Sequence, residues 1–276
     1  MKDDLGDRMK SYELAAEIRL DPSQYLMARL DGRCFSKFTH GLTKPFDSRL
    51  WGLMVLVTEK LMRESGACLG YTQSDEITLV WPQTPIGEPF FGGRTQKLSS
   101  SLAAMATLHF FKTLPQFFGV VGEYHQEKCP TFDCRVWAMP SSIEVWNNLL
   151  WRYNDATRNA IIGITRVRYS HTEMYGLDCT QMLSLPSVMD DWGVCPPFFK
   201  VGTFVQRYKV SRPYTVTELA SLPPMHEART NPELVVERSD YRTWGVESFK
   251  IVENKEGFIF AGEEPVLSRN TNNPGL

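Results

Sequence analysis

The stretch GYTQSDEITLVW, residues 70–81, places adjacent acids at the tip of a hairpin with apolar arms. Tight hairpin turns favour Asn-Gly or Asp-Gly. Ser74-Asp75-Glu76 gives no such help to the turn, so solvent or a function holds these carboxylates there. A second acid closes another apolar run: Tyr25-Leu26-Met27-Ala28-Arg29-Leu30 leads into Asp31-Gly32-Arg33, where Gly32 permits a tight backbone turn. Two carboxylates brought together repel unless a cation sits between them. Mg²⁺ suits such a pair, because it takes oxygen ligands and keeps positions open for phosphate oxygens. Two such ions ~3.5–4 Å apart stabilise both the attacking and the leaving oxygen of a phosphoryl transfer. Asp31 and Asp75 are therefore candidate metal carboxylates. Glu76 either joins them or holds a neighbouring basic side chain. Each acidic segment alone is an ordinary solvated turn; their combination is what points to a metal.

The residues after Asp31 suit a nucleotide. Gly32-Arg33-Cys34-Phe35-Ser36 turns after a strand, where successive backbone N–H groups form an anion nest. Lys44 lies close in sequence and reaches a triphosphate as a point charge.

The elements that must position these groups follow from periodicity. Residues 1–24 read as a polar helix ending at Asp21-Pro22, and residues 25–30 as a strand. Leu50, Leu53, Met54, Val57 and Leu61 recur at helical spacing, with Asp47 or Ser48 as N-cap and Gly66 as the stop. Residues 67–73 and 77–81 are the hairpin arms, 82–93 a loop, 98–114 a second helix and 132–138 a fourth strand. The order β-α-β-β-α-β is the ferredoxin-like split unit: an α+β fold whose antiparallel sheet carries two helices on one face. In that topology the first strand neighbours the hairpin, so Asp31 and Asp75 should meet at one sheet edge. Beyond it, 142–162 reads as a helix, 163–195 as short helices and loops, 199–210 and 248–260 as strand-like, and 221–231 as loop. The expected organisation is a catalytic unit over 1–140, a helical and strand extension over 141–267 packed on it, and a flexible tail over 268–276.

The chain has 276 residues, 42% hydrophobic and 22% charged, with a net charge of −2. These are globular values. They give no bulk electrostatic sign of nucleic-acid binding, which would need a local basic patch. No apolar run approaches a membrane span. The charged N-terminus lacks an apolar signal core, which predicts a cytoplasmic protein. Of six cysteines none forms C-x-x-C, and Cys129 with Cys134 lacks a matching pair, so reduced structural thiols are expected rather than zinc.

The segments ARLDGRCFSKF, GLTKPFD, YTQSDEITLVW, FDCRV and WRYNDATRNA, in this order, resemble the tRNA(His) guanylyltransferase family, and in particular its bacterial and archaeal 3′–5′ polymerase-like members. The likeness covers roughly residues 6–210. It implies a polymerase-like palm that extends RNA at the 5′ end with Mg²⁺, two ions, and GTP or ATP as substrates. By motif, Asp31 and Asp75 would hold metal with the Gly32 carbonyl, and Glu76 would be a supporting catalytic acid. Asp31 to Ser36, with Ser74 and Asp75, would line the nucleotide, and Lys44 would touch its triphosphate. Lys97, Arg135 and Asn159 would serve a second triphosphate or the RNA 5′ end. The implied partners are tRNA, NTPs and further copies of the chain, a homotetramer.

The chain departs from the eukaryotic His-Ile-Asn-Asn-x-Tyr-Asn segment. Thr157 stands for the His, Ala160 for the second Asn and Ile162 for the Tyr, while Asn159 is kept. That favours templated repair of 5′-truncated tRNA over dedicated guanosine addition to tRNA(His). A palm-type nucleotidyl cyclase would carry Gly-Gly-Asp/Glu-Glu-Phe in the hairpin, and an RNA-binding module of this strand order an RNP1 run; neither is present. Arg152, Arg158, Arg166, Arg168, Lys200, Arg207 and Lys209 are the candidate basic contacts to tRNA.

Overall fold

A computed structural model describes residues 4–84, 89–119, 130–231 and 233–268. The split unit is present. Strand β1 (Tyr25–Arg33) is followed by a single turn α2 (Phe35–Phe38) and helix α3 (Ser48–Ser65). Strands β2 (Leu69–Gln73) and β3 (Glu76–Trp81) form the hairpin, and α4 (Thr95–Phe118) leads to β4 (Thr131–Met139). All pairings are antiparallel, and the sheet order is β4-β1-β3-β2-β5-β6, where β5 is Thr203–Pro213 and β6 is Val235–Trp244. N-terminal helix α1 is shorter than expected, Asp4–Ala15, and buries no residue. The Cys129 half of the zinc question, and the tail beyond residue 268, lie outside the described residues.

Strand alternation splits the interior in two. Leu26, Ala28 and Leu30 of β1 point to the face covered by α3 and α4, whose buried residues include Leu53, Val57, Leu61, Leu102, Ala106 and Phe110. Met27, Tyr71 and Val80 point the other way, under helix α5 (Ser142–Arg168), which lays Val145, Trp146, Leu149 and Tyr153 against them. The sheet is thus covered on both faces, α5 and the segments after it closing the second.

Helix α3 begins where Asp47 accepts the Arg49 backbone N–H at 3.0 Å, and ends at Gly66, which has φ 74°. Asp47 also takes the Arg49 guanidinium at 2.7 Å and the Thr43 N–H at 3.3 Å. Arg49 above all holds this carboxyl down at about 2.

The expected strand over 248–260 does not form. Residues 249–251 make a 3-10 turn and Gly257–Ala261 a π turn. Phe249, Phe258 and Ile259 are all buried in the second core, with Phe249 stacked on Trp146 at 4.0 Å. An apolar run suits a buried plug as well as a strand. Here the Gln206 side-chain amide donates to the Phe258 carbonyl at 2.6 Å and the Glu263 carbonyl at 2.7 Å, carbonyls that a strand ladder would otherwise satisfy. The sixth strand comes instead from residues 235–244, whose alternation is mostly polar.

Candidate active site

The two-residue turn between Gln73 and Glu76 is tight, and Ser74 adopts a left-handed φ of 54°. Such a conformation costs a non-glycine residue energy and tends to mark functional positions. The turn sets Asp75 against the end of β1. The Gly32 N–H donates to the Asp75 carbonyl at 3.2 Å. A Cβ on Gly32 would lie 2.4 Å from the Phe35 ring and 3.0 Å from the Asp75 Cβ, so only glycine permits the approach. In register, Asp31 faces Glu76 on one side and Asp133 on the other. Directly opposed residues share a sheet face.

Asp31, Asp75, Glu76, Arg152, Asp155, Asn159, Ile162 and Arg166 line one open cleft of about 430 Å³. Burial pushes Asp75 up to about 6, and the charges of Asp31 and Glu76 add to the rise. Hydrogen bonds from its own backbone N–H and from Ser74 pull the other way without offsetting the rise. Glu76 is also raised by burial, against the pull of Arg152. Arg152, 8% exposed, clamps Glu76 with two bonds of 2.7 Å and holds Asp155 at 3.0 Å. Burial works to lower this guanidinium, and its bonds to Glu76 outweigh that.

A second cavity of about 240 Å³ adjoins the hairpin tip on the β2 side. Phe46, Trp51 and Phe198 wall it, the last two stacked at 4.5 Å, and Lys44, Ser74 and Asn159 bring polar atoms to its edge. Cys34, with a left-handed φ of 60°, begins the turn α2 after Arg33 and leaves its thiol exposed. Phe35 is core, packed edge-on to Phe110 at 5.7 Å.

The fold therefore brings Asp31, Gly32, Ser74, Asp75 and Glu76 together, with Lys44 and Asn159 at the adjoining cavity. Arg135 stands on β4 opposite Arg29, exposed and 3.9 Å from Asp133. Lys97 is not brought to the acids within this chain. It lies in the first turn of α4, over the Phe91 ring, where segment 18–20 is bonded to Gly93 and Thr95. That is the Tyr25 end of β1, roughly 20 Å of strand from Asp31. Of the candidate tRNA contacts, Arg152 is committed to Glu76, Arg168 to Asp191 at 2.8 Å and Lys209 to Glu237 at 2.6 Å. The register of β3 and the spacing of α5 carried no sign of the Arg152 clamp, which joins residues 76 positions apart.

The donor set fits Mg²⁺. Among the described residues no group of three or more His, Cys, Asp or Glu could hold a metal ion, and Asp31 and Asp75 bring two carboxylates to one cleft. So sparse a set suits an ion that keeps waters and phosphate oxygens. The half-buried charge of Asp75, crowded by Asp31 and Glu76, is what a cation would offset.

A family model described as tRNAHis guanylyltransferase matches residues 6–140. A solved bacterial tRNA(His) guanylyltransferase-like protein in complex with ATP is 30% identical, with TM-score 0.67, over 74% of this chain and 88% of that one. Another, in complex with GTP, is 27% identical with TM-score 0.64, over 88% and 92%. The tRNA(His) guanylyltransferase of Schizosaccharomyces pombe is 31% identical over 53% of this chain, and the match spans 55% of its own length. The chain thus matches about half the length of that relative.

Proposed function

The chain belongs to the tRNA(His) guanylyltransferase-like family, and from that premise we propose that it is a Mg²⁺-dependent 3′–5′ nucleotidyltransferase that repairs 5′-truncated tRNA on a template. One observation carries this reading: Asp31 and Asp75 converge on an open cleft beside a cavity edged by Lys44.

In this reaction the RNA 5′-monophosphate takes a nucleotidyl group from ATP or GTP and pyrophosphate leaves. The 3′-hydroxyl of an incoming NTP then attacks the RNA phosphate and displaces the nucleoside monophosphate. Asp31, Asp75 and the Gly32 carbonyl would hold Mg²⁺, which when bound supplies charge neutralisation at the attacking and leaving oxygens. Backbone N–H groups beyond Gly32, whose own N–H goes to the Asp75 carbonyl, would orient phosphate, Lys44 adds a point charge, and Phe46 and Trp51 offer an apolar wall to a nucleobase. Glu76, engaged by Arg152, supports the acids rather than accepting a proton.

The template reading rests on the residues that replace the eukaryotic segment. Ala160 lines the cavity and Ile162 the cleft, and neither side chain offers a hydrogen bond. The Thr157 hydroxyl is spent on the Tyr153 carbonyl at 3.1 Å. None of these three positions offers a free donor to a base, which leaves base choice to Watson–Crick pairing. The same reading includes a homotetramer and a cytoplasmic location. Among the described residues no helix is long and apolar enough to cross a membrane.

The test is extension of a 5′-truncated tRNA by purified protein with Mg²⁺ and NTPs. The product grows at its 5′ end by the nucleotide the opposing strand dictates, and Asp31→Ala or Asp75→Ala abolishes growth. Guanosine addition that ignores the opposing base would replace repair with dedicated addition to tRNA(His). Extension by the double alanine variant would remove these acids from the mechanism.

A further inference from the structure

The acids have two flanks, and only one has been given a ligand. On the β2 side lies the cavity walled by Phe46 and Trp51. On the β1–β4 side a large aromatic ring faces solvent. Trp151 of α5 is 54% exposed, an unusual state for the most costly side chain to leave in water. It is not a stray apolar group. The Arg152 guanidinium lies 4.5 Å from its ring centroid and that of Arg29 lies 5.7 Å away. Cation–π contacts of this kind fix the plane of a ring.

The position ties this plate to the acids. Arg29 is also 4.0 Å from Glu76, and Glu76 faces Asp31 in register. Arg135 lies opposite Arg29 on the same sheet face and its side chain is exposed. An open tryptophan plane beside arginines, one side chain away from a carboxylate cluster, has the features of a surface that stacks a base and meets its phosphate. A transfer reaction must bring two nucleotides to the acids from different directions. With the NTP on the β2 flank, the β1–β4 flank is left for the acceptor.

We propose that Trp151, held by Arg29 and Arg152, is the stacking surface for the 5′-terminal nucleobase of the RNA substrate. Stacking is tolerant of base identity, since every base presents a π-face. A repair enzyme that must accept whichever base a truncation exposes needs that tolerance. The inference rests on the nucleotidyltransferase reading for the identity of the RNA, but its readout is binding and does not require turnover.

The experiment measures anisotropy of a 5′-monophosphorylated tRNA lacking its first nucleotide, with Mg²⁺ and without NTP, and of the same RNA carrying an abasic 5′ residue. Wild-type protein should bind the abasic RNA about tenfold more weakly. Trp151→Ala should bind the intact RNA about tenfold more weakly and show no further loss on the abasic one, while Trp151→Phe restores most of the affinity. GTP affinity of Trp151→Ala should stay within about twofold of wild type, because the other flank is intact. Unchanged RNA binding by Trp151→Ala overturns the proposal. So does an abasic penalty that persists in that variant, an equal loss of GTP affinity, or a changed oligomeric state that makes Trp151 a subunit contact. A wild-type protein that shows the stacking signature but never extends RNA would remove the enzymatic reading and leave this one standing. A wild-type protein that binds no RNA would end both.

Discussion

At Asp75 the residue's own titration ties stability to function. Its carboxyl has an ordinary value of 3.8 and is pushed up to about 6 by burial and by the charges of Asp31 and Glu76. Between those two values the folded protein holds a proton that the unfolded chain has released, so stability falls as pH rises through the window. Above about pH 6 the folded metal-free protein carries an ionised acid whose hydrogen bonds, to Ser74 and to its own backbone N–H, do not offset its burial. Asp75→Asn should therefore be more stable than wild type at pH 8 by about 1–2 kcal/mol, after discounting for the partly open cleft. The gain should shrink to almost nothing near about pH 3, below both values, where wild type is largely protonated in both states. Thermal melts in chelator at the two pH values measure it, as a difference of a few degrees at pH 8. Mg²⁺ should reverse the order by stabilising wild type alone. An Asn variant that melts below wild type at pH 8 without metal would mean that the hydrogen bonds from Ser74 and its own backbone N–H outweigh the cost of burying the Asp75 charge. Asp31 and Asp75 were legible in the sequence because each sits at a turn after an apolar run, and chain direction alone sends both to one edge. Arg152 and Trp151 were not legible in their roles. On a helix read by periodicity they are neighbours of opposite character, and only the packed structure shows one clamped to Glu76 and the other open.

Between elements, the Arg152 clamp is the polar joint of α5 with the β2–β3 hairpin. Breaking a buried pair by removing one partner leaves a desolvated charge, whereas removing both is far less costly. Arg152→Ala should destabilise the protein by about 2–4 kcal/mol and free Glu76 to crowd the acid pair. Adding Glu76→Gln should recover much of that stability. A double-mutant cycle by chemical denaturation gives the coupling, and simple additivity would show the pair to be worth no more than a surface contact. The other elements differ in how far sequence could place them. Strands β1 to β4 and helices α3 and α4 alternate or repeat clearly, and Gly66 and Asp47 mark helix ends by mechanisms that act locally. Residues 235–244 hide a strand because β6 pairs with β5 alone and its Arg, Glu, Ser and Asp side chains suppress the alternation. Residues 248–260 read as a strand because burial, not pleating, made them apolar.

For the whole molecule, the region matched by the family model, residues 6–140, contains every carboxylate assigned to metal, yet it should not fold by itself. Its sheet has two faces, and α3 and α4 cover only one. The other presents Met27, Cys68, Leu69, Tyr71 and Val80, each no more than 2% exposed, and their cover comes from α5, β5 and the turns around Phe249 and Phe258. Burial of a large apolar side chain contributes about 1.5–3 kcal/mol. Uncovering these five removes on the order of 10 kcal/mol, comparable to the whole stability of a typical domain. Strand β2 would also lose its ladder to β5, leaving a bare edge open to pairing with other chains. A fragment of residues 1–140 should therefore bind a hydrophobic dye, lose near-ultraviolet circular dichroism and melt without a cooperative transition, while the full chain melts in one step. A cooperative, dye-silent fragment would make the C-terminal half a true appendage. The predicted interdependence explains why the cleft-lining residues of α5 sit so close to the acids: the element that completes the core also completes the cleft.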